Sequence, residues 1–232
     1  MHDEPLGLTI HSLPVPREAA AFDAQRTARG RWRMLAVLLV CAAPVIASYL
    51  TYYVIRPSAQ RSYGELIDPQ RPLPDAIAIR PDGSTTPLPA LKGQWLLVSV
   101  AGGACDSLCE RHLYLQRQLR ETLGKDKDRL DWVWLVPDDA PIRDALRPAL
   151  AQATVLRVKA SELSRWLAPA AGHQLADHLY LVDPMGHWMM RFPATTATGA
   201  IDTAAAAKMK RDVERVLRAS ASWDVPGRPA TP

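Results

Sequence analysis

Two cysteines four residues apart, Cys105 and Cys109, stand where the apolar run WLLVSVA gives way through AGGACDSLCERH to a helical pattern. Three chemistries use such a pair: a structural disulfide, a dithiol–disulfide redox couple, or two soft ligands for a metal. A helix that starts near Asp106 or Ser107 brings positions i and i+4 to one side, so both sulfurs can meet there. Unbonded amides and the helix dipole at that end favour thiolate, which is both the nucleophile and the metal-binding form. Asp106 and Glu110 flank the thiols and work against the dipole, since nearby negative charge raises a thiol pKa. A disulfide across so short a loop gives entropic stabilisation at the low end of roughly 2–4 kcal/mol, which argues against a mere staple. Cu(I) or zinc suits two thiolates, yet two ligands fill the coordination sphere of neither. His112, His173, His178 and His187 are the candidates for a third.

These residues need elements to hold them. WLLVSVA and LDWVWLVP read as strands covered on both faces. Leu113, Leu115, Leu119 and Leu123 recur at near-helical spacing between them, and Gly124 stops that helix. IAIRPDGSTTPLPALKGQW reads as a hairpin turning at Pro81, Asp82 and Gly83, and HLYLVDPMGHWMMRFP as a second one turning around Asp183, Pro184 and Gly186. APIRDALRPALAQ gives a short helix interrupted by Pro148, TVLRV a brief strand, ASELSRWLAP a helix capped by Ser161, and residues 202–219 a closing amphipathic helix. Strands alternating with helices and closed by an antiparallel hairpin make an α/β chain of three layers. A cysteine pair where the first buried strand meets its helix is the layout of a thioredoxin-like fold. In that layout the loop before the first strand of HLYLVDPMGHWMMRFP faces the cysteine turn, which admits His173 and His178 as ligands and points His187 away. Spacing alone leaves His178 and His112 unseparated.

The N-terminal part has a different character. Residues 34–55 carry no charge over 22 positions. At about 1.5 Å per residue that length matches a bilayer core of roughly 30 Å. Tyr49, Tyr52 and Tyr53 sit near one end and Trp32 at the other, as interfacial aromatics do. The run is too long, and starts too far from the N-terminus, for a cleaved signal peptide. Arg26, Arg29, Arg31 and Arg33 precede it, which orients the N-terminus inside and exports the rest. The expected order is a largely disordered tail (1–33) with a helical turn near residues 18–29, an anchor (34–55), a proline-bearing linker (56–74), the thioredoxin-like domain (75–222) and a loose tail (223–232). Of the three cysteines, Cys41 falls within the anchor as a small hydrophobe. A net charge of +4, without a basic run interleaved with aromatics, gives no support for nucleic-acid binding.

LKGQWLLVSVAGGACDSLCERHLYLQRQL together with DHLYLVDPMGHWMMRF resembles the Sco family of copper-binding cytochrome c oxidase assembly proteins, and VWLVPDDAP is similar to that family's segment after the second strand. The likeness covers about residues 88–220 and the anchor. It implies a single N-terminal anchor in a bacterial inner membrane or its equivalent, an exported thioredoxin-like domain, and one copper ion held by Cys105, Cys109 and His178. It further implies that copper passes by ligand exchange to the copper centre of oxidase subunit II, or that the protein works with other respiratory assembly factors. Such a protein is a metallochaperone rather than an enzyme. The family's C-P-x-x-C-P pattern differs here, with Asp106 and Glu110 in place of the prolines. The alternatives are a thiol–disulfide oxidoreductase in which Cys105 and Cys109 form the redox pair without a histidine, and a membrane-anchored interaction protein without metal.

Overall fold

The computed structural model describes residues 16–55, 62–195, 202–224 and 226–227, and the chain divides into two units, Met1–Ala59 and Gln60–Pro232. Within the first, helix α1 runs from Pro16 to Leu50 and continues as a π-helical turn, Thr51–Ile55. Its segment Gly30–Tyr53 is long and apolar enough to cross a membrane, and Pro44 lies inside the helix without ending it. The helix begins well before the expected anchor, so the helical turn expected near residues 18–29 is part of one continuous helix and residues 16–33 are helical rather than disordered. Proline at the first helical position costs no hydrogen bond, and the Ala, Arg, Glu and Gln that follow are good helix formers. Residues 1–15 and most of the C-terminal tail lie outside the described residues.

The second unit is built on an eight-stranded mixed sheet in the order β1-β8-β7-β4-β5-β6-β2-β3. Its strands are β1 (Glu65–Pro72), β2 (Ile77–Ile79), β3 (Thr85–Pro87), β4 (Trp95–Val100), β5 (Leu130–Val136), β6 (Thr154–Arg157), β7 (Leu179–Val182) and β8 (His187–Arg191). β4, β5 and β6 are parallel, whereas β7 runs antiparallel to β4 and β8 to β7. All six residues of β4 are buried, because both faces of the sheet are covered. On one face Leu96, Val98, Val133, Leu135 and Tyr180 pack with Leu163 and Trp166 of α3 (Ala160–Trp166). On the other, Trp95, Leu97 and Leu181 pack with Leu119 of α2 (Ser107–Thr122) and with Met209, Val213 and Leu217 of α4 (Thr203–Ala219). Buried Arg129 fastens the end of α4, donating to Asp224, Ser220 and the Leu217 carbonyl.

Three sequence expectations need correction. The stretch expected as a linker contains β1, which pairs with β8 from Glu65↔Arg191 to Pro72↔His187. Its side chains are almost all exposed, so pairing rather than an apolar pattern holds it. The segment before β6 forms a 3-10 helix, Asp144–Leu150, since Pro148 removes a donor that an α-helix needs. The N-cap of α3 is Lys159, without a side-chain cap, and Ser161 lies within the helix.

Candidate functional site

The cysteine turn begins where β4 ends. Ala101 N–H donates to Leu135 O, and Cys105 N–H closes back onto Gly102 O at 3.0 Å. Cys105 has φ 47°, in the left-handed region that costs a side-chain-bearing residue about 1–2 kcal/mol. Asp106 then caps α2, its Oδ1 accepting from Cys109 N–H at 2.9 Å. This half-turn sets Cys105 and Cys109 with Cα atoms 5.1 Å apart, joined as a disulfide. Their relative exposures are only 4% and 2%, and they belong to an apolar cluster with Ala101, Leu113, Trp132, Trp134, Val136 and Val155.

The two carboxylates expected to press on the sulfurs are engaged elsewhere. Asp106 is spent on the helix cap, and Glu110 forms an ion pair with Arg143. The Arg143 guanidinium also donates to Cys105 O at 2.8 Å. Asp138 Oδ1 accepts from Gly103 N–H at 2.9 Å, so the segment after β5 embraces the turn. Arg143 belongs to no motif, and Asp138 stands in VWLVPDDAP without a role of its own there; each lies more than thirty residues from its partner at the turn.

The register Ser99↔Leu179 places His178 at the same end of the sheet as the cysteine turn, while the β7–β8 turn and His187 lie at the other. His178 is buried. Its Nε2 accepts from Ala170 N–H at 3.2 Å, so Nδ1 carries the proton and donates to Phe192 O at 2.8 Å. Burial lowers its pKa, with the Phe192 hydrogen bond opposing, and the imidazole is neutral at pH 7. It lines a cavity of about 300 Å³ with Tyr63, Glu65, His173 and Arg191, and neither cysteine lines that cavity. His173 reaches Asp177 at 3.3 Å and His187 reaches Asp183 at 3.4 Å.

His112 differs from all of these. It is buried on α2, one turn after Cys109, and its Nε2 has no hydrogen-bond partner. Burial pushes its pKa down to about 4, helped by His178 and opposed by Asp177 and Asp106. Those charges mark its surroundings: the cap of α2 on one side and the 3-10 turn Leu175–Asp177 on the other. Among the described residues no group of three or more His, Cys, Asp or Glu side chains is arranged to hold a metal ion. The structure joins Cys105 to Cys109 and sets His178 and His112 at the same end of the sheet.

A mixed sheet with α2 and α4 on one face and α3 on the other, and a cysteine pair at the β4–α2 junction, define a thioredoxin-like protein. The chain belongs to the family described as transmembrane-like, thioredoxin-like, C-terminal domain, whose model matches residues 95–220. No curated protein matches it. Similar solved structures include apo Sco1 from Thermus thermophilus, 15% identical, covering 69% of this chain and 99% of that one with a TM-score of 0.49. The thioredoxin domain of a thiol-disulfide oxidoreductase from Bacteroides vulgatus is 15% identical, covering 62% and 94%, with a TM-score of 0.44. Bradyrhizobium japonicum ScoI with copper bound is 17% identical, covering 59% and 96%, with a TM-score of 0.38. At these identities, what those proteins bind or catalyse does not transfer to this chain.

Proposed function

We propose that this chain is a membrane-anchored thioredoxin-like redox protein whose Cys105–Cys109 pair cycles between disulfide and dithiol. The observation that carries the reading is the disulfide closed across the first turn of α2. Amides at that helix end stabilise the thiolate released when the bond opens, and both flanking carboxylates are engaged by other groups. The apolar segment of α1 serves as the single-pass anchor, with the arginines before it holding the N-terminus inside and the second unit exported.

Copper delivery to the copper centre of oxidase subunit II is the second reading, with copper as cargo. It is favoured by the unpartnered Nε2 of buried His112, which has no hydrogen bond to give up on accepting a soft cation. The residues fit copper only in the dithiol state, because thiolate donors exist only once the S–S bond is open. His178 as third ligand through Nε2 has to release Ala170 N–H, whereas His112 has nothing to release.

The test equilibrates the full chain in detergent with glutathione buffers from both directions and maps free thiols by alkylation and mass. One reversible two-thiol transition at Cys105 and Cys109, with Cys41 thiol throughout, is the expected result. A pair that opens only on denaturation overturns the redox reading. Added Cu(I) decides the second: one copper per reduced chain, lost in Cys105→Ser, supports it, and none bound removes it.

A further inference from the structure

The disulfide is shut in, and the groups that shut it in can let go. Residues 138–143 run across the cysteine turn directly after β5. Asp138 accepts from Gly103 N–H and also from Ala140 N–H at 3.2 Å, so one carboxylate binds both the turn and its own segment. Arg143 bridges Cys105 O and Glu110. Arg157 of β6 props the segment from behind, donating to Asp138 O at 2.6 Å and Ala140 O at 2.8 Å. Ile142 within the segment and Leu146 just beyond it pack against the apolar cluster that contains both cysteines.

The approach of this segment explains the glycine pair in AGGAC. A Cβ on Gly103 would run into the Ala140 carbonyl, and one on Gly102 into the Asp138 carboxylate. Two side-chain-free positions let one backbone lie on the other. The fastening is nevertheless uneven. The bonds to Arg157 tie the segment to the sheet and Ile142 adds an apolar contact, but its polar grip on the cysteine turn comes from Asp138 and from Arg143, whose side chain is 47% exposed, as is that of Glu110. Half-exposed ion pairs exchange readily with water and hold weakly.

We propose that residues 138–143 form a clasp over the Cys105–Cys109 disulfide, and that Arg143 is the positioning residue that decides how readily a thiol reaches it. This rests on the redox reading above. With the clasp closed, the sulfurs are covered. When Arg143 lets go, an incoming thiolate attacks one sulfur and forms a mixed disulfide. The S–S electron pair leaves with the other cysteine, which takes a proton from water. A second thiol, from the same molecule when the donor is a dithiol or from a second molecule when it is a monothiol such as glutathione, then displaces the first cysteine, leaving the donor oxidised to a disulfide and the protein pair reduced by two electrons. Clients that can themselves displace Arg143 from Glu110, such as segments presenting a carboxylate beside the reacting thiols, are selected over thiols that cannot.

The test follows reduction of the oxidised full chain in detergent by dithiothreitol, and separately by glutathione, with alkylation quench and mass shift. Arg143→Ala is expected to be reduced on the order of tenfold faster than the unsubstituted chain, as loss of one charge-assisted contact implies. Gly103→Ala, which lifts the clasp from the opposite side without touching Arg143, is expected to accelerate reduction likewise. Arg147→Ala, on the neighbouring segment and paired with exposed Asp144, is expected to leave the rate unchanged. Both accelerations should appear well below the thermal midpoint and be insensitive to mild urea, as local rather than global opening requires. Equal rates in Arg143→Ala and the unsubstituted chain overturn the clasp, as does acceleration that merely follows global destabilisation. The two failures separate: a reversible glutathione equilibrium with no rate effect sinks the clasp alone, while no reversible equilibrium sinks the redox reading beneath it.

Discussion

The cysteine turn and the His178 corner lie at the same end of one sheet, and they are held in opposite ways. His178 is clamped on both ring nitrogens by backbone groups, Ala170 N–H in the loop after α3 and Phe192 O just beyond β8. The cysteine turn is held through side chains of a remote segment, Asp138 and half-exposed Arg143. A group clamped by backbone is built to stay, whereas one held by surface side chains can be released at small cost. Under the redox reading proposed above, reactivity falls to the cysteines and a structural part to His178, with His112, whose Nε2 is unpartnered, between them.

The sharpest way to break that division is to remove a sulfur. Cys109→Ser is expected to abolish the two-thiol redox transition completely, read by alkylation mass shift across glutathione buffers. The fold should survive, because a disulfide closing so short a loop contributes only weakly to stability. Loss of folding on this change would make the pair a staple and erase the contrast.

The next effect comes from His112. Its pKa of about 4 in the folded chain lies below the ordinary value near 6.5. Between those values the unfolded chain takes up a proton that the folded chain refuses. The corresponding stability is intact above pH 6.5 and is lost as pH falls towards 4, by at most about 3 kcal/mol. His112→Leu is expected to remove most of this loss and to unfold at a higher urea concentration at pH 5 than the unsubstituted chain. At pH 7 it should be no less stable, since an unsatisfied buried nitrogen is replaced by an apolar group of similar bulk. If acid sensitivity persists unchanged, His112 is not the buried neutral imidazole described above.

A clamped His178 makes a different prediction. His178→Ala strands the Ala170 N–H and the Phe192 carbonyl and leaves a cavity, at a cost of about 2 kcal/mol at pH 7. Urea midpoints measure it. The rate of disulfide reduction should barely change, which separates this residue from those that hold the cysteine turn. A large rate effect would join the two regions into one site and return His178 to the chemistry.

The sequence made the central elements legible because burial on both faces writes itself as continuous apolar runs. β4 and β5 are all but fully buried, and both were readable as strands. α2 was readable from its leucine spacing, and the β7–β8 hairpin from Asp183, Pro184 and Gly186. β1 was not, since an edge strand with exposed Asp68, Gln70 and Arg71 carries no apolar alternation and exists through pairing with β8. At the site, Cys105, Cys109 and the histidines were visible as residue types. Their states were not, because what engages Glu110 is Arg143, 33 residues away, and what engages both nitrogens of His178 is backbone. No local pattern encodes those contacts, whereas the engagement of Asp106 is a local helix cap, three residues from Cys109.

The smallest expected effect tests the engagement of Glu110. Glu110 faces Arg143 across an ion pair in which each side chain is about half exposed. Glu110→Gln keeps a hydrogen-bond acceptor but removes the charge, so its cost to stability should stay below about 1 kcal/mol. If Arg143 holds the turn chiefly through Cys105 O, loss of the carboxylate loosens the clasp only partly. Reduction by dithiothreitol should then quicken by about two- to threefold, less than for Arg143→Ala, in line with a partial loss of one exposed pair. Raising the salt concentration should quicken the unsubstituted chain in the same direction and leave Glu110→Gln almost unaffected, because screening weakens the pair that the variant lacks. A variant that reacts more slowly would instead mean that the carboxylate acts on the sulfurs as a free anion, as the sequence alone had suggested.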